Sequence, residues 1–240
     1  MVSGRRRSVR RLVLAVLALQ IVLAVVLLGV SRSQASALPD APDVDAIDLP
    51  VPDVALTISS GIERANGVAL DWQPDARLSF VSLQVDWPTT PPPETVTAVS
   101  PFGWLRVVYI APVGGAASDF AALSLLFERV SGALVESDVS PWHVGVEGGN
   151  LLTGVQVTEE TALLGAELSG GTAYRAACPD LRSHSTISIA IDPGTGQPVW
   201  HIGYRERGRD ATGTMQFEVN AVTGVVSVTR AAPEGCGAGT

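Results

Sequence analysis

Lysine is missing from this sequence altogether. All sixteen basic residues are arginine, a compositional bias that carries no chemistry of its own. Cysteine is scarce as well: Cys178 and Cys236 are the two copies, and with three scattered histidines they make no metal-ligand spacing. The pair is compatible with one disulfide in an oxidising compartment, and also with two unpaired thiols. There is no Gly-rich phosphate loop, no His-Glu-x-x-His, no Gly-x-Ser-x-Gly and no Cys-x-x-Cys, so no catalytic residue and no cofactor is expected. Ser183-His-Ser185 invites a nucleophile reading. Adjacent residues on an extended chain face opposite sides, however, and the sequence places no orienting carboxylate beside them.

Negative charge is missing from the N-terminal part, where no acidic residue precedes Asp40. Six of the sixteen arginines lie in Met1–Arg32, so the remainder sets ten arginines against twenty-four carboxylates, a formal −14. So acidic a domain excludes nucleic acid, whose phosphates need a basic footprint. It also argues against the domain lying flat on an anionic membrane surface.

Arg5, Arg6, Arg7, Arg10 and Arg11 precede an uncharged run, Leu12–Val30, with Gln20 its one polar residue. At about 1.5 Å per residue a helix of this length spans roughly 29 Å, the thickness of a hydrocarbon core. Arginines before the run and acidic residues after it place the N-terminus in the cytoplasm and the bulk outside. Residues 1–37 are therefore expected to be a transmembrane anchor, giving a single-pass membrane protein. The other open reading is a signal peptide cleaved after Ala37, at Ala35-Ser-Ala37, giving a secreted protein.

Residues 38–55 alternate Pro and Asp with little to bury and read as a stalk. Ile58, Ile62, Ala65 and Ala69 then fall on one face of a helix that Pro74 stops. Val81, Leu83, Val85 and Trp87 alternate with polar residues as in a strand, with a bulge expected near Phe80–Val81. Further strands are expected near Gly103–Ala111 and Ala121–Arg129, with a short one after Gly132. Residues 138–156 read as a connector. Thr158 is placed to cap a second helix, Glu159 and Glu160 suit its positive end, and Gly170-Gly171 would end it. Strands are expected near Thr172–Ala177, Thr186–Ile191, Val199–Arg205, Gly213–Val219 and Val225–Thr229, and 231–240 reads as a tail. The plan is used twice: Trp104–Val135 and Trp200–Val228 each run strand, loop, strand, Ser-Gly or Thr-Gly step, strand. The expectation is α+β, two helix-plus-antiparallel-sheet units over 56–137 and 157–230.

The sharpest local feature is turn chemistry. Asp192/Gly196 and Asn220/Gly224 each put a side-chain acceptor four residues before a glycine able to take positive φ, and Glu128/Gly132 is a degraded version. The aromatic strand Trp200–Tyr204 leading to Asn220-Ala-Val-Thr-Gly-Val-Val226 resembles the close of the PepSY domain, best over about Val157–Arg230. A fainter copy covers about Leu56–Glu136. Asn220 stands where Asp is usual, and Ser131 replaces Thr. The resemblance implies a cystatin-like helix on an antiparallel sheet and a binding role, proposed to be the restraint of proteolysis, with no catalytic residues.

Trp200, Ile202 and Tyr204 share a strand face, as do Leu105, Val107 and Tyr109. Both sets read as core rather than as a stacking platform, and His201 falls on the opposite, solvated face. Arg205–Asp210 is a charged hairpin tip able to meet an acidic partner. The functional expectation is a non-catalytic extracytoplasmic binding module that restrains a protease or senses the envelope. The alternative is an envelope assembly component whose sheet edge pairs with a partner chain.

Overall fold

The alternation that marks Val81, Leu83 and Val85 as one face of a strand recurs along the chain, and hydrogen bonding collects these strands into a single sheet. The computed structural model describes residues 38–86, 99, 102–113, 120–142, 154–177, 184–192, 194–205 and 215–230. Helix α1 (Ile58–Trp72) precedes β1 (Arg77–Asp86), β2 (Gly103–Pro112), β3 (Phe120–Glu128) and β4 (Leu134–Trp142). Helix α2 (Glu159–Ala166), a π-turn over Glu167–Gly171 and helix α3 (Thr172–Ala177) precede β5 (His184–Ile191), β6 (Pro198–Arg205), β7 (Met215–Asn220) and β8 (Val226–Arg230). The spatial order is β4-β3-β2-β1-β5-β6-β7-β8, with every neighbouring pair antiparallel.

This order overturns the expected fold of two helix-plus-sheet units repeated in series. β1 pairs with β5 from Val81↔Ile189 to Asp86↔His184, so the strands form one eight-stranded sheet over one principal core. The physical reason is edge satisfaction. Two separate four-stranded sheets would leave β1 and β5 as edges with unpaired backbone groups and exposed Val, Leu and Ile. The expected transmembrane helix is not part of the described fold either: none of its helices is long and apolar enough to cross a membrane. Leu12–Val30 itself lies outside the described residues.

The three helices pack on one face. Thr57 caps α1 and forms a reciprocal capping box with Ser60 (3.1 and 2.9 Å). Its buried stripe of Ile58, Ala65, Val68 and Ala69 meets Val81, Leu83, Leu105, Val107, Leu123 and Leu125 of the sheet. Gly61 makes the close approach possible, since a Cβ there would sit 1.7 Å from Leu105 Cδ2. In the second half Ala162, Leu163 and Ala166 meet Trp200, Ile202, Phe217 and Val219. Trp200 donates its indole N–H to Val157 O at 2.9 Å, and Tyr109 donates its hydroxyl to Ile62 O at 3.2 Å. Burial raises the Tyr109 pKa to about 12.

Local differences from the sequence reading have identifiable causes. Thr172–Ala177 is helix rather than strand. Gly170 takes φ +131° without ending the helix, and the Glu167 carboxylate accepts from Thr172 Oγ1 at 2.8 Å and from Arg175. The β1–β2 register slips between Leu78 and Phe80, a little before the suggested bulge. β4 extends to Trp142, into the expected connector. The Pro/Asp-rich segment, read as a stalk, forms a 3₁₀ turn at Val44–Ala46 and packs Val44, Ile47 and Leu49 on the core. Arg64 pins it by donating to Pro50 O (2.6 Å) and Gly132 O (2.9 Å).

Two α1 glycines give opposite predictions. Gly61→Ala forces Leu105 aside and is expected to cost about 1–3 kcal/mol. A Cβ at Gly67 meets nothing within 4 Å, so Gly67→Ala is expected to stabilise by about 0.8–1 kcal/mol through helix propensity. Urea midpoints of the two variants against the parent measure both signs.

Candidate interaction face

Because side chains alternate along a strand, committing one face to the helices sends the intervening residues to the other. One row crosses all eight strands in register: Glu136, Leu126, Arg106, Ser82, Ser188, His201, Glu218 and Ser227. The neighbouring row brings together Trp104, Gln84, Thr186, Gly203 and Gln216. Trp104 is 37% exposed, unusual for an indole at mid-sheet. Towards one end the same face is apolar and covered: Val108, Ile110 and Ala122 are buried in a cluster with Phe80 and Trp142.

Two polar pairs stand on this face, beside Asp86, Glu128 and Asp138, which alternation places there too. Arg106 donates to Ser124 Oγ at 2.8 Å and lies 3.7 Å from Glu136; His201 Nδ1 lies 3.5 Å from Glu218. All four side chains are between 41% and 52% exposed, so each pair orients its members and contributes little to stability.

Beneath the other face lie two buried ionic clusters that sequence reasoning missed. Glu159 Oε1 accepts from Ile58 N at 3.0 Å, so a carboxylate at the start of α2 caps the first turn of α1. Arg129, 3% exposed, donates from Nε to Leu56 O at 2.9 Å; burial lowers its pKa, and the charges of Glu159 and Glu160 oppose that. In the second cluster Glu167 accepts from Tyr204 Oη, Thr172 Oγ1 and Arg175, with both charged side chains 1% exposed. Burial first, and then Glu167, push the Tyr204 hydroxyl far above the ordinary tyrosine value. These charges are committed to backbone and to one another rather than to a cleft. Their nearest sequence sign was the Glu159-Glu160 pair, which suited a helix start but gave no hint of a second helix to cap.

The predicted turn residues close three hairpins. Asp192 Oδ1 accepts from Gly194 N (2.8 Å), and Gly196 takes φ +66°. Asn220 Oδ1 accepts from Val222 N and Thr223 N (both 2.9 Å), and Gly224 takes φ +76°. Glu128 accepts from Ser131 N at 2.9 Å, and Gly132 takes φ +66°. Asn220 Nδ2 donates to Gln197 Oε1 at 3.1 Å, tying two of these hairpins together. Ser185 is buried on the core side. Cys178, Ser183, Glu206–Asp210 and Cys236 lie outside the described residues, so the disulfide and the hairpin tip do too.

No protein-family model matches the chain, and neither does any curated protein. A candidate lipoprotein of known crystal structure from Clostridium difficile 630 aligns over 74% of this chain and 94% of its own, at 13% identity and a TM-score of 0.39.

Removing the Glu167 carboxylate takes away the buried counter-charge of Arg175. Glu167→Leu is expected to cost about 3–5 kcal/mol, with the double variant Glu167→Leu/Arg175→Met recovering part of the loss, as read by denaturant unfolding. Acid titration reports the turns. Hydrogen bonds from Gly194 and Thr195 hold Asp192 below the ordinary aspartate value, and those from Ser131 hold Glu128 below the ordinary glutamate value. Depressed folded-state values stabilise above the unfolded-chain pKa, about 4, and that contribution disappears as pH falls through the folded values. Asp192→Asn should therefore lose less stability than the parent between about pH 5 and pH 2, measured as the fall in thermal midpoint.

Proposed function

We propose that this chain is an exported, non-catalytic binding module that holds a partner protein against the uncovered face of its sheet. The observation that carries the reading is the division of labour between faces. The helices and the principal core occupy one side, whereas the other presents an in-register row of mainly polar side chains across eight strands, with the exposed Trp104 in the row beside it. Seven strand spacings of about 4.8 Å make that row roughly 34 Å wide. With about 20 Å of strand length the footprint is on the order of 700 Å², near the roughly 800 Å² that one partner contributes to a standard interface. A flat platform of this size suits a folded protein better than a small molecule, which needs a concave site. Export is supported by the arginines at the N-terminus, the uncharged run behind them and the acidic excess after it. Restraint of a protease is the finer reading, supported by the likeness of Trp200–Val226 to the PepSY close.

Pairing through a sheet edge is less well supported. β8 is five residues long, and β4 carries Pro141 near its end. Short edge strands and prolines are the devices that discourage strand addition.

Capture from detergent-solubilised membranes with the tagged full chain tests the reading. Trp104→Ala and Arg106→Glu are expected to reduce partner recovery by about tenfold or more each, the loss typical of a central interface residue. The edge variant Val228→Lys should leave recovery unchanged. Loss with Val228→Lys alone would transfer the site to the edge, and a protease in the captured fraction would support the restraint reading.

A further inference from the structure

Away from the open face, the segment at 38–49 and helix α1 enclose a groove of about 660 Å³. Its inner wall is apolar: Val68 of α1 and, opposite, Ile47 and Leu49, which anchor the segment to the core. Its rim is acidic, with Asp40 and Asp48 from the segment and Asp71 from the helix. The one basic group in the lining is Arg64, which spends Nε and Nη2 on the carbonyls of Gly132 and Pro50. Three carboxylates against one guanidinium leave the lining with a formal −2. Trp72 also lines the groove. Its ring nitrogen is buried and has no hydrogen-bond partner, so what the indole offers the groove is carbon surface.

We infer that this groove binds a small organic cation with an apolar body. The volume lies within the roughly 300–1,000 Å³ of cavities that take ligands of that size. The chemistry is complementary on both counts. Aliphatic wall and indole bury the body of the ligand, and carboxylates meet its charge near an aromatic ring that itself attracts cations. An anion would face the acidic rim, and a neutral analogue would forgo the attraction of that rim. The two prolines of the wall, Pro39 and Pro42, limit the conformational freedom that binding would otherwise have to remove. This site is independent of the partner face and goes beyond the proposed function.

Titration of the full chain in non-ionic detergent with benzyltrimethylammonium tests the inference. Ligand-observed NMR provides the readout, with protein-free micelles as the blank. Saturable binding is expected, falling about tenfold in Asp48→Asn/Asp71→Asn and by a similar factor in Trp72→Leu, and weakening with added salt. Benzenesulfonate and neutral benzyl alcohol should bind at least about tenfold more weakly than the cation. Both aspartates are exposed, so their substitution leaves the core intact. Binding that does not saturate at millimolar cation overturns the inference, as does binding equal for cation and anion or unchanged in both groove variants. Trp104→Ala and Arg106→Glu should bind the cation as the parent does, which separates failure here from failure of the partner face.

Discussion

Everything in this fold depends on the antiparallel pairing of β1 with β5. Each strand stands first after its helix, and each carries a row that must be buried: Val81, Leu83 and Val85 on one, Ile187 and Ile189 on the other, all at 0% exposure. Joining them satisfies the backbone of both strands at once and places the two rows side by side under the helices. Glu159 then reaches from α2 to the first turn of α1, so the helices are bound to each other as well as to the sheet. A carboxylate at a helix N-terminus both accepts an otherwise unpaired N–H and meets the positive end of the dipole. Continuity of the uncovered face follows from this pairing. Neither half alone would present a row eight strands wide.

The two halves solve the same packing problem with different chemistry. α1 is a straight helix of fifteen residues, brought close to the sheet by Gly61 over Leu105. The second helical region is broken by a π-turn, and Gly171 makes its close approach over Tyr204, whose hydroxyl oxygen would lie 2.6 Å from a Cβ there. Tyr109 finds a backbone acceptor in its helix, so its hydroxyl needs no charge. Tyr204 finds Glu167 instead, and a buried carboxylate requires a counter-charge, which Arg175 supplies. That requirement explains why the chain continues as helix past Gly170-Gly171. Thr172, Tyr174 and Arg175 must come back over the sheet to complete the cluster, and Tyr174 stacks edge-on against Tyr204 at 6.1 Å.

What the sequence made legible is what neighbours in the chain decide. Alternation located the strand at Val81–Val85, and Thr158 stood out as a cap because its acceptor serves a donor three residues on, at Thr161 N. The Asp192 and Asn220 turns are similarly local, each closed by a side chain and a glycine four residues apart. Partners distant in the chain were not legible. Nothing in β1 names β5, because period-two patterns specify which face is buried and not which strand lies alongside. The Glu159 contact spans 101 residues and the Arg129 contact 73. Two glycines in succession resemble a helix end, and only the buried Glu167 cluster overrides that signal. Along 38–49 the apolar residues are too few to show a period, so their docking on the core was invisible. The open face was hidden for a simpler reason: polar residues at alternate positions look alike whether they meet water or a partner.

The distribution of charge gives the uncovered face its character. The chain after Arg32 is strongly acidic, yet the excess is concentrated away from the sheet: Leu38–Asp53 alone holds five aspartates. On the sheet, Arg106 lies beside Glu136 and His201 beside Glu218, and alternation puts Asp86, Glu128 and Asp138 on the same face as the exposed Trp104. In the proposed function, affinity there would come from desolvating an aromatic anchor and matching shape, with polar partners setting orientation. The inferred cation groove beside α1 would act through charge and be weakened by salt. The two proposed surfaces would therefore differ in salt sensitivity, and that difference follows from where the chain puts its aspartates.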